Sequence, residues 1–459
     1  MYSLSFSQDS LKKKYLAEKS IYVEQIIVVG NKKTRDQIIL RELTFKVGDS
    51  ILISDTSSVF ERSRNNVFNT ELFNNVKSAS LSVGEGHKYI FIVEVKERWY
   101  LWPIPIFELA DRNINEWITD RGADLKRINI GVDFQQKNFR GRNEQLHIKL
   151  QTGFTKKYEL FYRVPYFDKS KKTGFSFGIS YSTNKNVAFE TRDNKLNYFD
   201  FDQVNRKRFY VGFKLKRRQH LYTTHEFTLR CHSNWIGDTL VNLNPDYFLD
   251  GRQSQNYLKF EYKLVHDKTD IKFYPTKGHR TVFSFMQSGV GLWSDILQSE
   301  GRVSHTQFFP LGKKWIYSVA GSVKATLPQK QPYANSRALG YQEDFVRGYE
   351  LYVIDGQYFG LAKMDLKFKI YDNESILGAS NDTPFSSPPL RVFLKTYLDA
   401  GWSKDQNYAF KNPLLNDRPL FGGGLGVDFV TFYDAIFSME YSVNHLGEQG
   451  LFLHFGSFF

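Results

Sequence analysis

Cysteine is almost missing from this chain. Cys231 is the only one among 459 residues, which excludes a disulfide framework and a cysteine-based zinc site. Long apolar runs are missing too. No stretch approaches the roughly 18 consecutive apolar residues of a membrane-crossing helix, so helical spans are excluded. A secretory leader is not evident: Met1 to Ser7 is too short for an apolar signal core and lacks a basic start, which leaves open whether a signal was removed. The ten histidines show no metal-ligand spacing and none pairs into a plausible catalytic triad. The expectation is therefore no metal, no cofactor and no enzymatic activity.

Aromatic residues are what the chain has in excess. Seven Trp, 27 Tyr and 41 Phe make 16% of it, too many for a disordered polymer. Yet the mean hydropathy is only −0.44. That combination fits a soluble β-rich protein, or a transmembrane β-barrel whose strands alternate lipid-facing and water-facing residues. The formal net charge of +13 suggests anionic partners in principle. The Lys and Arg are scattered, however, with only small knots at Lys12–Lys14 and Lys216–Arg218. No recognition helix or RNA-binding signature accompanies them, so nucleic acid is not an expected partner.

Residues 1–20 read as a polar lead segment and residues 21–98 as a small α/β domain. Ile21 to Val29 is a β-branched strand that ends at Gly30-Asn31. Thr34 to Gln37 fits a capping box for a first helix, and Ser54 or Asp55 opens a second. Val76 to Val83 and Tyr89 to Val95 read as strands around a Gly-rich turn, for an order β-α-α-β-β. From residue 99 to the end the period becomes two. Phe175, Phe177, Ile179 and Tyr181 alternate with Ser176, Gly178 and Ser180; Met364, Leu366 and Phe368 alternate with Asp365 and Lys367. A soluble sandwich gives the same alternation with its apolar side inward. Segments of about ten residues favour a tilted crossing of a bilayer. They persist to the last residue without a helical interlude. About sixteen are expected, starting near 100, 127, 143, 157, 173, 207, 222, 256, 279, 301, 314, 359, 390, 418, 433 and 450. An even count with alternating short and long connections is the pattern of an outer-membrane barrel. The longest connection is 326–358; the one at 372–389 is long for the side where short turns are expected.

Several stretches resemble a known family. Residues 21–98, with Asn69 to Val76 and Val93 to Arg98, resemble a POTRA domain, and 99–459 resembles the barrel of the BamA/TamA outer-membrane insertase superfamily. Asn138-Phe-Arg-Gly141, Val164-Pro-Tyr-Phe167 and Tyr274-Pro-Thr-Lys-Gly278 stand in the family's order. Val346-Arg347-Gly348-Tyr349 resembles the family's motif in a sixth external loop that folds back into the lumen. Tyr397-Leu-Asp399-Ala-Gly401 resembles the wall motif it meets, with Tyr replacing Phe. The resemblance implies that Arg347 reaches Asp399, and that Asp365 supplies a second acid. Alternation independently points both carboxylates into the lumen, and an Arg fork can bind them in a geometry Lys cannot copy. Gly348 would allow the tight turn at the loop tip. The terminal Phe459 is similar to the family's outer-membrane targeting signal.

The resemblance implies a membrane β-barrel of about 16 antiparallel strands with one α/β POTRA domain, in the bacterial outer membrane with that domain in the periplasm. It implies protein insertion or polypeptide translocation through a lateral gate. Pro103 and Pro105, flanking Ile104, donate no ladder hydrogen bond and both address one neighbour. With Phe455 and Phe459 on the last strand they are the expected gate. Val76, Ala79, Leu81 and Val83 are the expected edge for pairing a substrate strand. Expected partners are nascent outer-membrane or secreted polypeptides, outer-membrane lipids, and periplasmic or lipoprotein partners at the POTRA domain. A dedicated exporter, a lipid or solute pore and an accessory barrel remain alternatives, because family insertases usually carry several POTRA domains. Gly422 to Gly426 reads as a kinked barrel strand, since no helix follows for phosphate binding.

Overall fold

A computed structural model describes residues 20–456, apart from 84–86, 112–113, 169, 171, 200–202, 292, 342, 373–389 and 432–434. The chain divides into two compact units.

The first unit contains β1 (Ser20–Val29), α1 (Asp36–Leu40), β2 (Ser50–Leu52), α2 (Thr56–Phe68), β3 (Phe73–Ser82) and β4 (Lys88–Glu97). Its sheet has the order β2-β1-β4-β3, with β1 and β4 parallel. Both helices bury one side: Ile38 and Ile39 from α1, and Val67 from α2 with Ser63, whose hydroxyl accepts from Thr44 N at 3.1 Å. Phe45, Phe60 and Phe91 pack ring against ring, with centroids 4.8–5.9 Å apart. The expected capping box does not form, because α1 begins after Arg35 with no side-chain cap. Thr34 is instead drawn to β4: its hydroxyl donates to Glu97 Oε1 at 2.6 Å and lies 3.0 Å from the Tyr100 hydroxyl. A half-buried carboxylate gives the hydroxyl a charge-assisted hydrogen bond, stronger than the contact a helix terminus open to water offers.

The second unit is one antiparallel sheet of sixteen strands. They are β5 (Leu101–Leu109), β6 (Ile128–Phe139), β7 (Glu144–Gly153), β8 (Thr155–Val164), β9 (Thr173–Asn184), β12 (Arg206–His220), β13 (Thr223–Ile236), β14 (Ser254–Asp267), β15 (Gly278–Val290), β16 (Trp293–Leu311), β17 (Trp315–Leu327), β18 (Tyr358–Asp372), β19 (Arg391–Lys404), β20 (Leu420–Val430), β21 (Ile436–Asn444) and β22 (Gln449–Phe455). A separate hairpin, β10 (Val187–Arg192) with β11 (Lys195–Phe199), stands in one long connection. Two short helices, α3 (Ile114–Thr119) and α4 (Asp238–Leu243), occupy other connections, so the expected absence of helix holds for the strands and not for the loops.

The strand faces decide between sandwich and barrel. Leu398, Leu425 and Phe213 are exposed, while Asp365, Lys367, Ser318 and Asp428 are buried. A sandwich hides its apolar face; here the apolar face is outermost and the polar face lines the interior, the arrangement a lipid solvent demands. The strand expected to start near 301 begins earlier, since β16 starts at Trp293, which pairs with Val290 of β15. Most of the connection expected at 372–389 lies outside the described residues. At the end of the sheet with the long connections, Val187, Ile236, Leu240, Tyr247, Phe248, Tyr333 and Tyr408 form an apolar cluster drawn from several of them. At the other end, Tyr274 turns inward. It lies 4.7 Å from Phe393, and its hydroxyl donates to Asp428 Oδ2 at 2.9 Å.

Candidate functional site

The 328–357 connection folds inward. Leu339 bridges to Ile354 across its base, and Ala338, Leu339, Val346, Tyr349 and Ile354 pack with Phe359, Leu361, Leu415 and Leu420. This apolar cluster holds the loop tip against the wall formed by β18 to β21. On that wall Asp365 pairs with Tyr397, and Asp399 stands two residues further along β19. Alternation sets the two acids and the Tyr ring on one inner face, as diagonal neighbours.

Arg347 sits between them. Its Nη1 lies 2.7 Å from Asp365 Oδ1, its Nε donates to Asp399 Oδ2 at 2.8 Å and its Nη2 to Asp399 Oδ1 at 2.5 Å. The Arg347 amide also donates to Asp399 Oδ2, at 3.0 Å, so loop backbone and side chain grip one carboxylate together. The guanidinium lies 3.9 Å over the Tyr397 ring, a cation–π contact sheltered from water. Burial alone would pull the Arg347 guanidinium down. Asp365 and Asp399 outweigh it and hold it well above its usual range. Only 4% of Arg347, 1% of Asp365 and 3% of Asp399 is exposed, so each charge depends on the others.

The network extends beyond these three. Lys395 Nζ meets Asp428 Oδ1 at 2.6 Å and Glu440 Oε1 at 2.5 Å, and Lys367 Nζ approaches Asp428 at 3.9 Å. Lys363 is also buried beside Phe345, its Nζ 4.4 Å from the ring centroid. Four interior cations thus face Asp365, Asp399, Asp428 and Glu440. Their charges balance in a space where an unpaired charge is costly. Glu440, Asp428 and Lys367 were not singled out from sequence as parts of a site. Each lies on the polar side of an alternating strand, which tells the face but not the neighbour.

Glycines make room for the loop. Gly348 has φ +94°, the left-handed conformation that favours glycine, and Asn444 Nδ2 donates to its carbonyl at 2.8 Å. A Cβ on Gly401 would come within 2.5 Å of Val346 Cγ2, and one on Gly422 within 1.9 Å of the Arg347 carbonyl oxygen. Gly422 therefore serves the close approach of loop backbone to strand. We expect Gly422→Ala to displace the Arg347 segment and destabilise the docked loop by about 1–3 kcal/mol, the usual cost of overpacking. Faster proteolysis within 328–357 would report this. Gly321→Ala, whose Cβ meets nothing within 4 Å, is the control that should change nothing.

The other expected residues fall at two sheet edges. In the sixteen-stranded sheet β5 and β22 are the terminal strands, and no pairing joins them among the described residues. Ala110 N donates to Arg127 O, so even-numbered residues of this segment direct their backbone groups toward β6. Pro103 and Pro105 are odd-numbered and face the opposite side, toward the seam. Phe455 is 78% exposed on the outer face, whereas Ile104 shares its face with buried Ile106. Phe459 lies outside the described residues. In the first unit, among the described residues, β3 pairs with β4 alone and leaves one edge open. Val83 N donates to Lys88 O, so Ala79, Leu81 and Val83 spend their backbone groups on β4. Val76, Ser78 and Ser80 offer theirs outward. Val76 has its side chain in the core, while those of Leu81 and Val83 are exposed. The open edge is thus in the strand expected, one residue out of phase for three of the four residues named.

Comparison with known proteins agrees with this architecture. Residues 138–360 match the family described as Omp85 superfamily domain, and residues 21–98 match the POTRA family described as surface antigen variable number repeat. A Treponema pallidum (strain Nichols) protein named as an outer membrane protein assembly factor is 27% identical over 171 residues. That is 36% of this chain but 18% of the relative, so the match spans under a fifth of its length. Among solved structures, BamA from Haemophilus ducreyi lacking POTRA domains 1–3 superposes with a TM-score of 0.53 at 16% identity, covering 95% of this chain and 84% of that one. CdiB from Escherichia coli gives 0.57 at 11% identity, covering 95% and 76%. CdiB from Acinetobacter baumannii gives 0.52 at 11%, covering 98% and 80%.

Proposed function

The chain belongs to the Omp85 superfamily, and from that premise we propose that it inserts or translocates polypeptides at the outer membrane of a bacterium. Its barrel is integral to that membrane and its POTRA domain lies in the periplasm. The observation that carries the reading is the seam. Among the described residues no ladder joins β5 to β22, and the prolines of β5 remove donors on the seam side. Backbone groups left open in a lipid solvent cost several kcal/mol each, so an incoming strand that satisfies them is bound strongly. An edge otherwise liable to aggregate becomes a docking template.

The route begins at the open edge of β3, where an extended segment of an outer-membrane or secreted polypeptide adds a strand by β-augmentation. It continues at the seam, where backbone hydrogen bonds are exchanged between strands. No bond is made or broken covalently, and no nucleotide is required. Arg347 and its acids hold the loop across the interior, which favours a lateral exit over an axial pore. Periplasmic partners or lipoproteins would dock on the POTRA domain.

Depletion of the protein followed by outer-membrane proteomics tests this reading. Broad loss of barrel proteins is the expected result for an insertase. Loss of a single secreted protein would make the chain a dedicated exporter. No loss at all would overturn the reading and leave an accessory barrel.

A further inference from the structure

Glu350, Glu440 and His454 come from three elements: the 328–357 loop, β21 and the last strand, β22. All three are buried, and one ligand atom of each lies within 4.8 Å of the other two. Among the described residues no other group of His, Cys, Asp and Glu meets that condition. His454 Nε2 is 3.4 Å from Glu440 Oε2 and 3.6 Å from Glu350 Oε1. Ligand atoms at about 2.0–2.2 Å around a tetrahedral zinc ion stand roughly 3.3–3.6 Å apart, which matches both His454 separations, while the two carboxylates stand within 4.8 Å of each other.

The outer contacts orient these atoms. Gly348 N donates to Glu350 Oε2 at 2.8 Å, and Lys395 holds Glu440 Oε1 at 2.5 Å. Both carboxylates therefore turn their other oxygen toward the imidazole. The His454 ring is steadied against Phe345, with centroids 5.5 Å apart and planes at 27°. Metal-ligating side chains are commonly fixed by such second contacts.

We propose that Glu350, Glu440 and His454 bind a divalent transition metal of the zinc class, which clamps the inward-folded loop to the last strand. One imidazole and two carboxylates suit such an ion, and three protein ligands leave a fourth position for water. The site joins the loop that carries Arg347 to one wall of the seam, so the metal braces the closed state. This inference does not depend on what the barrel transports. Histidine spacing could not reveal it, because Glu350 and His454 are 104 residues apart in sequence.

The test uses the full chain, folded in detergent and stripped with chelator. Titration with Co2+ should give the visible absorption bands of a low-coordinate site with one ion per chain, displaced by Zn2+. At about ten times the dissociation constant, Zn2+ should slow proteolysis of 328–357 roughly tenfold, if opening requires release of the metal. Glu440→Gln and His454→Asn should abolish both effects. The neighbouring rings of His266, His279 and His305, with centroids 5.5 and 6.0 Å apart, could bind metal adventitiously, so His279→Ala is the control background. Substoichiometric binding by the folded wild-type chain would overturn the proposal, whatever the variants do. So would binding by the His454→Asn chain as tight as wild type.

Discussion

Arg347→Ala should release the loop and lower the yield of folded barrel. The change removes the partner of two carboxylates that stay buried, and breaking a buried pair in this way typically costs about 3–5 kcal/mol. Asp365 and Asp399 would then lose the guanidinium that bridges them, and Lys363, opposite Asp399 in the ladder, offers only a single ammonium that cannot reproduce the bidentate contact. Lys395 cannot replace it, because it is already committed to Asp428 and Glu440. Heat-modifiable migration on gels and protease cleavage within 328–357 report the two consequences separately. Arg347→Lys should recover only part of the loss, since an ammonium cannot bind Asp399 through two parallel donors and reach Asp365 as well. Adding Asp365→Asn and Asp399→Asn to Arg347→Ala should recover stability, because neutral amides are cheaper to bury than orphaned charges. Loop protection and folding yield unchanged in Arg347→Ala would show that the apolar cluster around Leu339 and Val346 suffices to dock the loop.

That experiment separates two kinds of information carried by the sequence. Period-two alternation placed sixteen strands, most starting within three residues of their positions, because lipid and lumen impose opposite chemistry on successive side chains. β16 began eight residues early, because its first turns continue above the loop-rich end, where the alternation relaxes. Alternation also set Asp365 and Asp399 on the inner face. It could not say which inner residues meet, since that depends on register and on curvature of the sheet. Arg347 was legible through its motif; Glu440, Asp428 and His454 were not, because each is a lone polar residue on a strand with no local partner. The Gly422 run read as a kink, and its closest constraint proved to be the loop backbone rather than the strand itself. The first unit shows the same limit in reverse. Thr34 carries a good local capping signal, yet Glu97, distant in sequence, takes its hydroxyl.

Locking the seam should abolish insertion or translocation while leaving the barrel folded. The two cysteines need side chains on one face. Phe107 and Phe455 are both strongly exposed on the outer side, whereas Ile104 belongs to the inner alternation and would pair poorly with Phe455. Cys231 must first become Ser, so that the two introduced thiols are the only ones. A short reducible linker between Phe107→Cys and Phe455→Cys then ties β5 to β22. If a substrate strand enters between these edges, the tied chain should fall to background activity and recover on reduction. The physical reason is that the linker holds the strands too close for a third strand, which needs about 4.8 Å on each side. Each singly substituted chain, treated with the same reagent, should retain activity; this excludes blockage by the reagent itself. The same linker between two outward positions on strands already paired, Phe213→Cys and Leu229→Cys, should be harmless, because the two residues face each other in an intact ladder. Full activity in the seam-locked chain would remove the lateral route and return the function to an axial path, which the Arg347 loop would then have to vacate.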